Sequence, residues 1–200
     1  MTAPLTVGIL IFDDVEVLDF AGPFEVFSAT RAIGGGDLDP QLFHVVTIAE
    51  TDAPIHARGN LIVQPHHTIA DHPALDILVV PGGYGTRALI RNERVLAWVA
   101  AQAATVQITT SVCTGAGVLG TLGLLDGHRA TTHWTAFGWL RELAPNATLT
   151  EGVRFVDEGS LLTSAGISAG IDMSLHLVAR IHGQAIAEQT AREMEYDWRP

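Results

Sequence analysis

Short apolar runs alternate along this chain with longer segments of helical pattern, and this alternation limits the possible folds more than any other feature. The run at residues 6–12 (TVGILIF) is almost continuously hydrophobic, as expected for a strand buried on both faces of a parallel sheet. The other predicted strands are residues 43–49, 76–80, 106–111, 129–133, 153–156 and 161–164.

Helical segments separate these strands, and Pro23 is placed in the first turn of the earliest one. The predicted helices are residues 23–33, 87–104, 115–125, 136–143, 169–182 and 184–196. Residues 157–160 (DEGS) indicate a hairpin turn, and residues 34–40 (GGGDLDP) a surface loop. The pattern predicts one α/β domain over residues 1–200, with a mainly parallel sheet covered by helices on both faces.

Composition excludes several classes of function. The formal charge of -11, with 22 acidic against 11 basic residues, disfavours a nucleic-acid partner. No apolar run approaches the ~20 residues of a membrane span. A lone cysteine and the absence of a signal-peptide pattern point to the cytoplasm. Charged residues make up only 16% of the chain, which hints at surface covered by a second subunit.

Residues 111–120 (SVCTGAGVLG) match two motifs with different meanings. Gly115, Gly117 and Gly120 have the G-x-G-x-x-G spacing of a dinucleotide-binding loop. That loop needs an acidic residue at the end of the next strand, and residues 130–135 (ATTHWT) contain none. The sequence therefore disfavours a dinucleotide cofactor.

The same stretch holds Cys113, between a predicted strand and a predicted helix. This is the context of a nucleophile elbow, in which a sharp turn lifts a reactive side chain above the sheet. Positive charge at the helix N-terminus is expected to lower the pKa of the thiol and favour the thiolate. The alternative is a buried, inert cysteine.

Other candidate residues follow neighbouring strands, where sites form in open α/β sheets. Asp19 lies in an otherwise apolar stretch, so its carboxylate needs a reason such as helix capping or catalysis. The turn around Gly83 offers backbone N–H groups to developing negative charge. His133 is either a base or a structural histidine at a strand end. Residues 64–73 (QPHHTIADHP) contain three histidines but are predicted to be a surface loop without metal.

Four ordered blocks, LDFAGPFEVFS, VVPGGYGTRAL, SVCTGAGVLGTLGLLDGHRATTHW and LLTSAGISAGIDMSLHLV, resemble the DJ-1/PfpI family. Within that family they are most similar to the branch that hydrates isocyanides. The resemblance implies a flavodoxin-like three-layer sandwich, usually a homodimer, that needs no cofactor. It implies Cys113 as the nucleophile, Asp19 as its acidic partner, Thr114 as the residue beside the cysteine, and the Gly83 and Thr114 backbone N–H groups as donors.

The resemblance leaves several activities open. A hydratase acting on a small-molecule electrophile competes with a glyoxalase or other carbonyl-directed enzyme, and with a non-catalytic cysteine sensor of oxidants or electrophiles. Asp19 in place of a glutamate favours the hydratase. Thr114 in place of a histidine disfavours a peptidase, and the SAGISAGID stretch without a histidine disfavours an amidotransferase. The chain ends without a helix-turn-helix segment, which disfavours DNA regulation, and it lacks the longer tail expected of hydratases.

Overall fold

The computed structural model describes residues 3–32 and 40–199. Its main sheet has seven strands in the order β10-β11-β7-β6-β1-β2-β5, and only the β10–β11 pair is antiparallel. The seven are β1 (Leu5–Leu10), β2 (Phe43–Ala49), β5 (His67–Thr68), β6 (Ile77–Val80), β7 (Ile108–Val112), β10 (Phe155–Asp157) and β11 (Leu161–Ser164). Two small pairs lie outside it: β3 (Ile55–Ala57) with β4 (Leu61–Val63), and β8 (Arg129–Ala130) with β9 (Thr148–Leu149).

Helices cover both faces of this sheet and make a three-layer α/β fold, as predicted. They are α1 (Val17–Ala29), α2 (Thr86–Leu89), α3 (Glu93–Ala103), α4 (Ala116–Thr121), α5 (Phe137–Leu143), α6 (Ala169–His182) and α7 (Gln184–Glu193). Alternate side chains of the central strands enter two cores: Ile9 packs towards α1, α6 and α7, whereas Leu10 packs towards α3, α4 and α5.

The predicted helix at residues 87–104 is wrong as a single element. Residues 86–89 form α2 and residues 93–103 form α3, with a break between them. Asn92 causes the new start, because its side chain accepts a hydrogen bond at 3.2 Å from the N–H of Val95. The break lets α2 stay beside the loop after β6 while α3 covers the sheet.

The start of α1 also differs from the prediction. The helix begins at Val17, so Pro23 lies inside it rather than in its first turn. An interior proline removes one helical hydrogen bond, at a cost of about 3 kcal/mol in an isolated helix. Pro23 is buried and packs over Gly170 of α6, and this tertiary contact offsets the lost bond. As a result Asp19 belongs to the first turn of a helix.

The segment 129–133 was predicted as one strand, but only Arg129 and Ala130 are extended in a ladder. The next two residues are held by single side-chain bonds: Thr131 N–H donates to Thr163 Oγ1, and Thr132 Oγ1 donates to the Cys113 carbonyl. The predicted hairpin at residues 157–160 is confirmed by the antiparallel β10–β11 pair. The loop predicted at 34–40 lies outside the described residues apart from Pro40. The first predicted helix ends at Ala29, earlier than predicted, because Thr30 is extended.

In the part of the chain that the structure describes, no helix is both long and apolar enough to cross a membrane.

Candidate active site

The carboxyl ends of four neighbouring strands converge on one corner of the sheet. Because β11, β7, β6 and β1 are adjacent, the residues that follow them meet in space. Gly166 follows β11, Cys113 follows β7, and Gly82 follows β6, while the loop after β1 leads into Asp19 of α1. The predicted Cys113, Thr114, Asp19, Gly83 and His133 all lie at this corner or line the pocket beside it.

Cys113 occupies a sharp strand-to-helix turn. It directly follows β7, has a φ of 57°, and starts a 3₁₀ turn that continues into α4. A left-handed conformation is unfavourable for a residue with a side chain, so packing on both sides must hold it. Cys113 is 6% exposed and lies at the wall of a pocket of about 100 Å³.

The glycines beside Cys113 are explained by packing rather than by phosphate binding. A Cβ on Gly115 would lie 2.0 Å from the carbonyl oxygen of Val80, and one on Gly117 would lie 2.3 Å from the ring of Trp139. Because Gly115 has no side chain, the Cys113 turn can pack against the end of β6, and because Gly117 has none, α5 can pack on α4. The structure thus gives the G-x-G-x-x-G spacing a local steric cause.

Asp19 is fully buried beneath this turn. Its Oδ2 accepts a hydrogen bond at 3.1 Å from the N–H of Gly82. Its Oδ1 is buried with no standard hydrogen bond to the described residues. A buried carboxyl with one unsatisfied oxygen is costly, and such oxygens are found mostly where function requires them.

Asp19 and Cys113 titrate as a coupled pair. Burial raises the pKa of Asp19 to about 7, and the negative charge of Glu16 adds to the rise. Hydrogen bonds from the Cys113 thiol and the Gly82 N–H stabilise the carboxylate and partly oppose this rise. Burial also raises the pKa of Cys113 to about 12, and the Asp19 charge adds to it. The pair therefore loses its first proton near neutral pH and holds the second one well above it.

The predicted lowering of the thiol pKa is wrong. The helix α4 is short, and its N-terminal charge does not outweigh the burial of the thiol next to a carboxylate. The N–H and hydroxyl of Thr114 act in the predicted direction, since both lower the pKa of Cys113. A protonated thiol next to a buried carboxyl, rather than a free thiolate, is therefore the state that the surroundings of this cysteine favour at neutral pH.

Thr114 ties the Cys113 turn to the loop after β6. Its Oγ1 accepts a hydrogen bond at 2.9 Å from the N–H of Gly83, and Thr86 Oγ1 lies 3.3 Å away. The N–H of Gly83 is therefore already used within the protein. This contradicts the prediction that Gly83 offers a free backbone donor, whereas the Thr114 N–H does face the sulfur.

His133 lies next to Cys113, although not at a strand end as predicted. A Cβ built on Gly166 would lie 2.5 Å from His133 Cδ2 and 2.8 Å from Cys113 Sγ, so the ring, the thiol and this glycine meet. The ring Nδ1 is paired with the Thr135 hydroxyl at 2.8 Å. The histidine thus lines the pocket beside the thiol, with its Cδ2 close to Gly166.

Further pocket residues, among them Arg58, Tyr84 and Arg87, were not predicted as site residues. Arg58 pairs with Glu16 at 2.9 Å and lies over the ring of Tyr84, while Arg87 stacks on Trp139. The Arg58–Glu16 pair joins segments that are 42 residues apart, so no local pattern reveals it. Arg87 directly follows the VVPGGYGT block in the sequence, and this position was the one feature that could have identified it as a site residue.

The three histidines of residues 64–73 do not come together as a metal site. His66 Nδ1 accepts from the N–H of Thr47 at 3.0 Å, and His72 Nε2 accepts from the Trp98 indole at 2.9 Å. Across residues 3–32 and 40–199, no three His, Cys, Asp or Glu side chains are placed to hold a metal. The segment is also not entirely a loop, because His67 and Thr68 form β5 at the sheet edge.

Changing Gly166 to alanine is expected to lower the reactivity of Cys113 by about a hundredfold, because the added methyl group displaces the sulfur from its position. The rate of alkylation by iodoacetamide measures this. Gly138→Ala is the matched control, since a Cβ there meets no atom within 4 Å. Equal rates in both variants would show that the Gly166 contact does not position the thiol.

Changing Asp19 to asparagine is expected to stabilise the fold increasingly between pH 4 and pH 7. In the native protein the pKa of Asp19 is raised from 3.8 to about 7, so over this range the folded state binds a proton that the unfolded state has lost. The resulting stability is present at low pH and is lost as the pH rises through 7. Asparagine lacks this loss, which is on the order of a few kcal/mol.

Urea unfolding of both proteins at pH 5 and pH 8 tests this expectation. The advantage of Asp19→Asn should be larger at pH 8. An advantage that does not change with pH would show that the native carboxyl titrates normally.

Three comparisons with known proteins agree on the family of this chain. A model of the DJ-1/PfpI family matches residues 5–180. Isonitrile hydratase of Pseudomonas putida is 35% identical over 192 residues, which are 96% of this chain and 78% of the hydratase. The crystal structure of a ThiJ/PfpI family protein from Pseudomonas syringae has 30% identity and a TM-score of 0.87, over 99% of this chain and 77% of that one.

A regulatory protein is also similar. The HTH-type transcriptional regulator GbdR of Pseudomonas aeruginosa is 27% identical over 194 residues, 97% of this chain. Those residues are 51% of the regulator, so this chain spans about half of its length. The same family thus includes an enzyme and a regulator. The family model matches most of this chain, and this match establishes that the chain belongs to the family. This protein belongs to the DJ-1/PfpI family.

Proposed function

We propose that this protein is an isocyanide hydratase, which adds water to R–N≡C and releases an N-substituted formamide. The observation that carries the proposal is the Asp19–Cys113 pair at the wall of a small pocket, in which a buried carboxyl with a pKa raised to about 7 lies next to the thiol. The 35% identity to isonitrile hydratase supports this choice of substrate among the reactions that a cysteine can catalyse.

The first half of the reaction forms a covalent intermediate. The terminal carbon of an isocyanide accepts a nucleophile, and Cys113 Sγ attacks it as Asp19 removes the thiol proton. Asp19 then returns that proton to the same carbon. The product is a thioimidate, Cys113–S–CH=N–R, in which every atom of the substrate is retained.

The second half releases the product. Water adds to the thioimidate carbon, one of its protons goes to the substrate nitrogen, and the C–S bond breaks as the carbonyl forms. Asp19 takes the second proton of the water from the hydroxyl group of the tetrahedral intermediate and passes it to the leaving sulfur, and R–NH–CHO departs. Thr114 assists both halves, since its N–H and hydroxyl stabilise negative charge on the sulfur.

Asp19 suits this role because of its environment. A carboxyl with a pKa of about 7 is both protonated and deprotonated in useful amounts at neutral pH, so it can take and return a proton in one cycle. Its unsatisfied Oδ1 is the oxygen that we assign to proton transfer.

A product assay with two substrates tests the proposal. The purified protein is given an aryl isocyanide and, separately, methylglyoxal, with Cys113→Ser as the control. We expect formamide from the isocyanide and no lactate from methylglyoxal. Lactate alone would favour the carbonyl-directed enzyme, and no product from either would leave the cysteine sensor.

The predicted homodimer and cytoplasmic location remain predictions. Leu61 and Ile62 of β4 are 48% and 60% exposed, and an apolar surface of this kind is often covered by a partner. Light scattering on the purified protein measures the oligomeric state.

A further inference from the structure

Arg87 is an exposed arginine that lines the Cys113 pocket and is held there by several contacts. Its guanidinium carbon lies 4.6 Å from the centre of the Trp139 ring, and Nη1 donates to the Gly83 carbonyl at 3.3 Å and to Thr86 Oγ1 at 3.2 Å. A stacked and hydrogen-bonded guanidinium has lost much of its side-chain freedom already. It can therefore bind a ligand at a lower entropic cost than a free surface arginine.

The positive charge of Arg87 is not neutralised within the described part of the chain. Its contacts there are with a ring, a carbonyl and a hydroxyl, and no carboxylate lies within ion-pair distance. The other arginine of the pocket differs, because Arg58 is paired with Glu16 at 2.9 Å. An unpaired arginine is notable in a protein with a formal charge of -11.

The donors of Arg87 also match a specific ligand group. A guanidinium has five N–H groups, and the hydrogen bonds of Arg87 to described residues all leave from Nη1. The Nε and Nη2 groups present the planar fork that binds a carboxylate with two parallel hydrogen bonds. The pocket, at about 100 Å³, has room for a small anion next to the thiol.

We propose that Arg87 forms a carboxylate-binding subsite, so that the preferred electrophiles of Cys113 carry a carboxylate near their reactive carbon. As a statement about the substrate, short isocyano-carboxylates, this rests on the proposed function. The carboxylate-binding subsite itself does not depend on the proposed function, because any electrophile that reaches Cys113 meets the same subsite.

Alkylation of Cys113 by two nearly isosteric reagents tests the subsite without any hydratase activity. Iodoacetate carries a carboxylate and iodoacetamide carries a neutral amide. In both reactions Sγ forms a bond to the methylene carbon, iodide leaves, and the thiol proton goes to Asp19 or solvent. The readout is the ratio of the iodoacetate rate to the iodoacetamide rate, measured at low ionic strength by mass spectrometry.

The matched variants are Arg87→Gln and Arg91→Gln, which remove the same charge from neighbouring positions. Arg91 is exposed and is not among the residues that line the pocket. We expect the ratio to fall about tenfold in Arg87→Gln, the effect of losing one charge-assisted interaction, and to stay at the native value in Arg91→Gln. Added salt should reduce the native ratio.

Three results would overturn the proposal. An equal fall in both variants would show a general effect of net charge. An equal slowing of both reagents in Arg87→Gln would show that Arg87 acts on the sulfur or on the shape of the pocket. A ratio in Arg87→Gln equal to that of the native protein would show that the carboxylate does not bind there. Loss of hydratase activity alone would leave all three readouts measurable.

Discussion

Cys113→Ser is expected to reduce formamide production from an aryl isocyanide by on the order of 10⁴-fold or more. The proposed reaction passes through a covalent bond to Sγ, and a serine hydroxyl at this position has no comparable nucleophilicity. Asp19 cannot make up the difference, because a carboxyl with a pKa of about 7 is too weak a base to generate an alkoxide.

The serine variant keeps the size and polarity of the site, so its fold should be close to that of the native protein. Cys113→Ala serves as a second variant, since it tolerates the φ of 57° no better and no worse than serine. Circular dichroism and urea unfolding establish that both are folded. Turnover within tenfold of the native rate in either variant would remove Cys113 from the mechanism.

Asp19→Asn is expected to lower the turnover number by about 10²- to 10⁴-fold, the usual contribution of a general acid–base group. Asparagine can still accept the hydrogen bond from the Gly82 N–H, so the architecture around the thiol should persist. It can neither take the thiol proton nor return it to the isocyanide carbon. This variant should therefore be less active and, at pH 8, more stable than the native protein.

The matched control for Asp19→Asn is Asp14→Asn. Asp14 is an exposed carboxylate in the preceding loop with a φ of 60°, a conformation that asparagine also adopts readily. We expect native activity from this variant. Native activity from Asp19→Asn as well would show that the buried carboxyl is not the proton carrier, whatever its pKa.

Much of the fold followed from one kind of pattern. The continuous apolar runs predicted the buried parallel strands, because a strand covered on both faces has no polar side to display. Short edge strands such as β5 and the β3–β4 hairpin have no such run and were missed. The start of α1 was misplaced because Pro23 looked like a helix start, whereas its packing on α6 depends on contacts 147 residues away in sequence that no local pattern contains.

The sequence pointed to the candidate residues that the fold brings together, but not to their electrostatics. Cys113 stood out as the only cysteine in a strand–turn–helix context, and Asp19 as a carboxylate in an apolar stretch. Their burial beside each other is a tertiary fact, and it reverses the expected direction of the thiol pKa. The pairing of Gly83 N–H with Thr114 likewise depends on the exact approach of two loops.

The covalent intermediate tests the central claim most directly. The protein is mixed with an aryl isocyanide, the reaction is quenched during the first turnovers, and the mass of the peptide that contains Cys113 is measured by mass spectrometry. We predict a Cys113 peptide that is heavier by the full mass of the substrate, and the amount of this modified peptide should fall as formamide appears. In Asp19→Asn the modified peptide should accumulate with a different time course. Formamide produced with an unmodified Cys113 peptide, and at an equal rate by Cys113→Ala, would contradict the account.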